Sequence, residues 1–152
     1  MMSEIEIAKI LIPRFAGAFF CGALMGWERE YRKKVAGIRT CLTVSIGAAL
    51  YSAVPFIMGM DSADSSRIIA QIVTGVGFLG AGVIFHNSTK GVEGMTTAGI
   101  IWLLAAMGIV CGVGHPLLGC SISTVVFLIM IGIMQIEKRT LWRKDKYENE
   151  NK

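Results

Sequence analysis

Apolar residues in this chain run in long unbroken blocks, and most charged residues gather between them. The blocks cover residues 7–27, 38–60, 68–85, 96–113 and 117–136. About 18 residues at about 1.5 Å each give roughly 27 Å of helix, enough for the hydrocarbon core of a bilayer. None of the blocks alternates with the period of two that marks a barrel strand. A backbone in lipid must satisfy its own hydrogen bonds, so the pattern predicts an all-α, polytopic membrane helix bundle of about five transmembrane helices. The first block follows Glu4, Glu6 and Lys9 rather than a basic leader, so it reads as a retained helix.

The third block contains Gly75, Gly77, Gly80 and Gly82, and its letters include Gly75-x-Gly77-x-x-Gly80. A dinucleotide site needs a strand before those glycines and an acidic residue roughly 20 positions beyond them. Glu93 comes too soon and apolar spans lie on both sides, so the motif points to helix packing instead of a nucleotide. Helices associate in lipid through small residues that let backbones approach. Gly75 and Gly82 fall beside a face formed by Arg67, Gln71 and Thr74, with Gly77 and Gly80 opposite. Two small-residue surfaces predict a central third helix, packed against Gly22 and Gly26 of the first and Ala98, Ala105, Gly108 and Gly112 of the fourth. Two alternatives stay open: one stripe is a homodimer face, or the glycines break the helix and expose backbone to a substrate.

Composition agrees, with 53% hydrophobic residues and a mean hydropathy of +0.58. Charge then orients the bundle. Of 15 basic residues, 12 fall in the first loop, the third loop and the C-terminal segment, leaving Lys9, Arg14 and Arg67 for the other side. The retention of Lys and Arg in cytoplasmic loops predicts an outer N-terminus and an inner C-terminus. The +4 net charge is therefore a topology signal and a contact for anionic lipid, not a nucleic-acid surface. Residues 1–136 form one transmembrane domain and 137–152 a basic cytoplasmic tail with Trp142 at the interface, too short to bury a soluble core.

Candidate chemistry is sparse. Cys21, Cys41, Cys111 and Cys120 form no C-x-x-C pair and read as small buried hydrophobes, with a disulfide between Cys111 and Cys120 left open. His86 and His115 are isolated. No nucleophile and base, metal-ligand spacing or cofactor motif is present, so the chain is not expected to be an enzyme or to carry a cofactor. Arg14, with Arg67, Asp61 and Asp64, forms an expected outer cluster, read either as an ion-pair network or as a weak Mg²⁺ candidate through Asp61 and Asp64. At the inner boundary, Glu28 and Arg29 end the first helix, and Arg39 and Thr40 begin the second. Glu28 is expected to pair with Arg39, at a solvated helix end or a partner-docking surface. Thr96 and Thr97 fit an N-cap of the fourth helix, with Glu93 near its positive end.

Gly26-Trp27-Glu28-Arg29-Glu30, Ala36-Gly37-Ile38-Arg39-Thr40, the run from Arg67 to Gly82, and Gly94-Met95-Thr96-Thr97-Ala98 with Trp102 and Ala105-Ala106 resemble the MgtC/SapB membrane family over about residues 14–135. Met95 and Gly99 stand where such proteins more often have Leu and Ala. The resemblance implies a multi-pass protein of the bacterial cytoplasmic (inner) membrane, linked to growth at low magnesium and, in pathogens, to survival in macrophages. It further implies a non-enzymatic regulator of membrane energetics, with the membrane ATP synthase as a partner in its best-known members. A small Mg²⁺ or H⁺ transporter or channel, lined by Arg14, Asp61, Asp64, Arg67 and Gln71, is the alternative. The chain is expected to be a short form without the soluble C-terminal domain of longer members.

Overall fold

The computed structural model describes residues 3–87 and 91–150, with side chains described for 3–86 and 91–137. Its helices are α1 (Glu4–Tyr31), α2 (Ile38–Met58), α3 (Ser62–Gly82), α4 (Met95–Gly112) and α5 (Pro116–Glu150), with strands β1 (Phe85–Asn87) and β2 (Gly91–Glu93) between α3 and α4. The architecture is thus the predicted all-α membrane bundle. Among the described residues, α1, α2, α4 and residues 116–137 of α5 are long and apolar enough to cross a membrane. The third helix is not in that set, because it starts earlier and with more polar residues than the apolar block 68–85 implied. Asp61 caps it, its carboxylate accepting the Asp64 amide at 2.8 Å, so the helix begins at Ser62 and takes in Asp64 and Arg67.

α3 also ends at Gly82, short of the expected 85. The chain then forms an antiparallel hairpin in which Phe85 pairs with Glu93 and His86 with Val92. Gly94 follows with φ 91°, and a Cβ there would collide with the Val83 carbonyl. Only glycine turns the hairpin into α4 at this point. At the other end, α5 continues as helix through Glu150, beyond the expected helix end at 136. Lys90 and Lys152 lie outside the described residues, as do the side chains of Lys138, Arg139, Trp142, Arg143, Lys144 and Lys146, so their expected places at the inner surface do too.

The core lies among α1, α2 and α4. Ala18, Cys21 and Met25 of α1 meet Cys41 and Ala49 of α2 and Ile100, Leu104, Met107 and Cys111 of α4. Half of the α4 span is buried, 50% against 11% for α5, which makes α4 the central helix. This corrects the prediction for α3, where only Val76 and Gly80 are buried. The glycines that bring backbones together lie elsewhere. A Cβ on Gly22 would sit 2.8 Å from the Leu42 Cα, and one on Gly26 2.7 Å from the Ile38 Cα, so both seat α1 on α2 rather than on α3. Gly108 and Gly112 press α4 against the Ser45 and Ala49 carbonyls of α2. From α3, Gly80 faces Ala98 at 3.7 Å and Val76 joins Ile101 and Ala105, whereas a Cβ on Gly75, Gly77 or Gly82 would meet nothing within 4 Å. Buried hydroxyls add ties: the Ser45 hydroxyl donates to the Ala18 carbonyl at 2.8 Å, joining α2 to α1.

Candidate functional site

Arg14 projects from α1 and is 8% exposed. Its Nη1 donates to the Gly112 carbonyl at 2.8 Å, and its guanidinium lies 4.5 Å from the centre of the Phe56 ring. Gly112 is the last residue of α4, where carbonyls lack helical partners and carry the negative end of the dipole. Arg14 therefore closes the end of α4 and stacks on α2 with a planar cation suited to both tasks. The expected cluster with Asp61, Asp64 and Arg67 is not formed. Asp61 is occupied as the α3 cap, Asp64 and Arg67 are exposed, and among the described residues the salt bridges are those of Glu28. No group of three His, Cys, Asp or Glu side chains among the described residues could hold a metal ion.

The second polar centre is built on the last turn of α1. Glu28 bonds Arg29 Nε through one carboxylate oxygen and Arg32 Nη1 through the other, at 3.1 Å for Arg32. The expected pairing of Glu28 with Arg39 is thereby corrected: Arg39 and Thr40 are exposed on the first turn of α2, while Arg32 is one helical turn along from Glu28. Glu30 takes the role at α2 instead, its carboxylate accepting the Ile38 amide at 3.1 Å across the turn. Arg29 is 1% exposed, and its Nη2 has no hydrogen-bond partner.

Beside this centre a cleft of about 760 Å³ opens between the end of α1, the start of α4 and α5. Arg29, Arg32, Lys33 and Lys34 line it, together with Glu93, Thr96, Thr97, Met130, Ile133 and Glu137. Thr96 and Thr97 are not the N-cap of α4, which is Gly94, and no side chain caps that helix. Thr97 is instead buried at 4% exposure in the first turn, with Thr96 exposed beside it. Glu93 stands at the positive end of α4, where it was expected. Lys33, Lys34, Met130 and Ile133 were not singled out as site residues; the basic run after Glu30 is visible in the sequence, but the approach of α5 is not.

A separate groove of about 630 Å³ runs between α2 and α3. Arg67, Gln71 and Gly75 line it with Thr43, Tyr51 and a largely aliphatic remainder, so the polar edge of α3 faces α2 across open space. Gly77 and Gly82 lie open on α3, and Phe78 is 81% exposed. Cys21, Cys41, Cys111 and Cys120 are free thiols, so Cys111 and Cys120 do not pair.

Apolar helices packed through glycines, with a buried arginine near each polar end of α1, define a polytopic membrane helix bundle. The chain belongs to the MgtC family, which it matches over residues 15–139. It is 41% identical to "Protein MgtC" of Brucella abortus (strain 2308) over 119 residues, 78% of this chain and 48% of that protein. It is 44% identical to "Protein MgtC" of Salmonella typhimurium (strain 14028s / SGSC 2262) over 114 residues, 75% of this chain and 48% of the relative. Against "Putative magnesium transporter YhiD" of Escherichia coli (strain K12) the identity is 38% over 141 residues, 88% of this chain and 65% of the relative. The chain thus matches about half the length of the curated MgtC relatives. No solved structure matches it.

Proposed function

We propose that this protein is a non-enzymatic regulator in the bacterial inner membrane, linked to magnesium-limited growth and membrane energetics, and that it acts by helix contact with another membrane protein. The observation that carries this reading is the face of α3. Gly75 and Gly82 leave backbone open along one side of a helix with little buried surface of its own, next to an exposed Phe78, and Gly77 is open on the other side. Small residues of this kind admit a second helix at close range. The partner is a membrane helix of another protein, such as a subunit of the ATP synthase, or α3 of a second copy. With α3 taken as a fifth crossing packed on α4, the N-terminus faces outward and the C-terminus inward, and the Arg29 cleft then lies at the cytoplasmic surface. In a pathogen the same restraint of membrane energetics extends to growth inside host cells.

The second reading is a small Mg²⁺ or H⁺ transporter, favoured by the name of the Escherichia coli relative and by Arg67 and Gln71 lining the α2–α3 groove. Two observations weigh against it. Mg²⁺ needs oxygen ligands, and the groove is walled mostly by Val44, Ala48, Ile68, Ile72, Val76 and Leu79. Between Arg14 and Glu28, moreover, the interior is filled by Ala18, Cys21, Met25, Leu104 and Met107. Affinity purification from the native membrane tests the first reading. A partner subunit or second copy should be captured by the unaltered protein and lost with Gly75→Leu. Capture that Gly75→Leu leaves unchanged would count against contact through α3.

A further inference from the structure

We infer that the cleft at the Arg29 end of the bundle binds a phosphoryl anion, held between the Arg29 guanidinium and the uncapped first turn of α4. Two independent observations meet there. Arg29 lines the cleft and is 1% exposed, yet its Nη2 has no partner, because Glu28 engages it through Nε. A buried donor left unpaired is uncommon, and a turn of the guanidinium toward the cleft would give it an acceptor there. Across the cleft, Gly94 brings no side chain to α4, so the first-turn amides of Met95, Thr96 and Thr97 lack a side-chain cap at the positive end of the helix. Such amides favour an anion, and phosphate oxygens match both them and a guanidinium fork.

The charges on the walls select sign. Arg29, Arg32, Lys33 and Lys34 face Glu93 and Glu137, while Glu28 is already engaged by Arg29 and Arg32. With Glu28 counted against its two partners, four cations meet three carboxylates, and the remaining positive charge favours an anion over Mg²⁺. Val35, Met130, Ile133 and Met134 add an apolar wall beside the basic one. A phosphodiester headgroup of an anionic lipid would use both walls, with its acyl chains along α5, and free phosphate would use the basic wall alone. The site stands whether or not α3 engages a partner.

The test uses the purified 152-residue protein in two arms. One titrates inorganic phosphate in detergent at constant ionic strength. The other compares nanodiscs of phosphatidylcholine with nanodiscs that also contain phosphatidylglycerol, and thermal stability is read in both. Saturable stabilisation in either arm is expected, and the arm that responds identifies the source of the phosphoryl group. Arg29→Lys keeps the charge and the reach to Glu28 but loses the guanidinium fork, and should weaken binding by about tenfold. Thr97 also lines the cleft beside these amides and offers a hydroxyl to the anion, so Thr97→Val, with no change of charge, should weaken binding and decides the matter if Arg29→Lys does not fold. No stabilisation in either arm, or affinity unchanged in the deciding variant, overturns the site, since diffuse attraction to basic residues would survive both substitutions.

Discussion

Arg14 and Arg29 are both buried on α1, and their surroundings differ in what a substitution leaves behind. Arg14 answers a helix carbonyl and an aromatic ring, so Arg14→Leu should expose the Gly112 carbonyl as an unpaired acceptor and cost about 1.5–3 kcal/mol. Arg14→Lys should recover only part of that, because an ammonium does not stack as a planar fork does. Unfolding in mixed micelles measures both. Glu28→Gln leaves Arg29 as a buried cation with no carboxylate, and should cost about 3–5 kcal/mol in the same assay. Adding Arg29→Met to Glu28→Gln should restore much of that loss, since an apolar pair of similar volume replaces the charges. Stability left unchanged by Glu28→Gln would show that water or another group neutralises Arg29. At this scale the sequence marked out Arg14 and Glu28 because charge in or beside an apolar block is expensive. Their partners were not legible: Gly112 and Phe56 lie on other helices, and a backbone carbonyl has no letter in a sequence.

At the scale of elements, glycines in different helices carry opposite consequences. Gly22→Leu and Gly108→Leu should prevent assembly, because the added side chains would enter the backbone of α2. Gly75→Leu and Gly77→Leu should leave a folded bundle, because a Cβ at either position meets open space. Size-exclusion profiles and circular dichroism of the purified variants distinguish the two classes. A misfolded Gly75→Leu would return α3 to the centre of the bundle. The glycine pattern correctly marked close-packing surfaces on α1 and α4, yet it assigned them the wrong neighbour. Small residues permit approach without specifying what approaches, so α2, with Ser45, Ala48 and Ala49 as its own small face, was overlooked as the common partner. The hairpin of Phe85–Asn87 and Gly91–Glu93 was likewise hidden, since three residues are too few for a strand pattern to stand out.

For the whole molecule, the regulator reading makes a functional forecast. Deletion should slow growth at low magnesium, while purified protein in liposomes should carry no Mg²⁺ or H⁺ flux above that of empty vesicles. Robust flux abolished by Arg67→Ala or Gln71→Ala would establish the transporter instead. By itself, the sequence determined the solvent in which this protein folds and hence its class. Blocks of apolar residues must leave water, and in lipid the backbone must close its hydrogen bonds within helices. It also determined the family, because short ordered motifs survive as letters. Only the tertiary structure decided which helix is central, that Glu28 serves Arg29 and Arg32, and that Arg29 meets the start of α4 in a cleft. Those outcomes depend on contacts between residues far apart in the chain, and hydrophobic patterning, nearly uniform around a membrane helix, does not encode which face meets which neighbour.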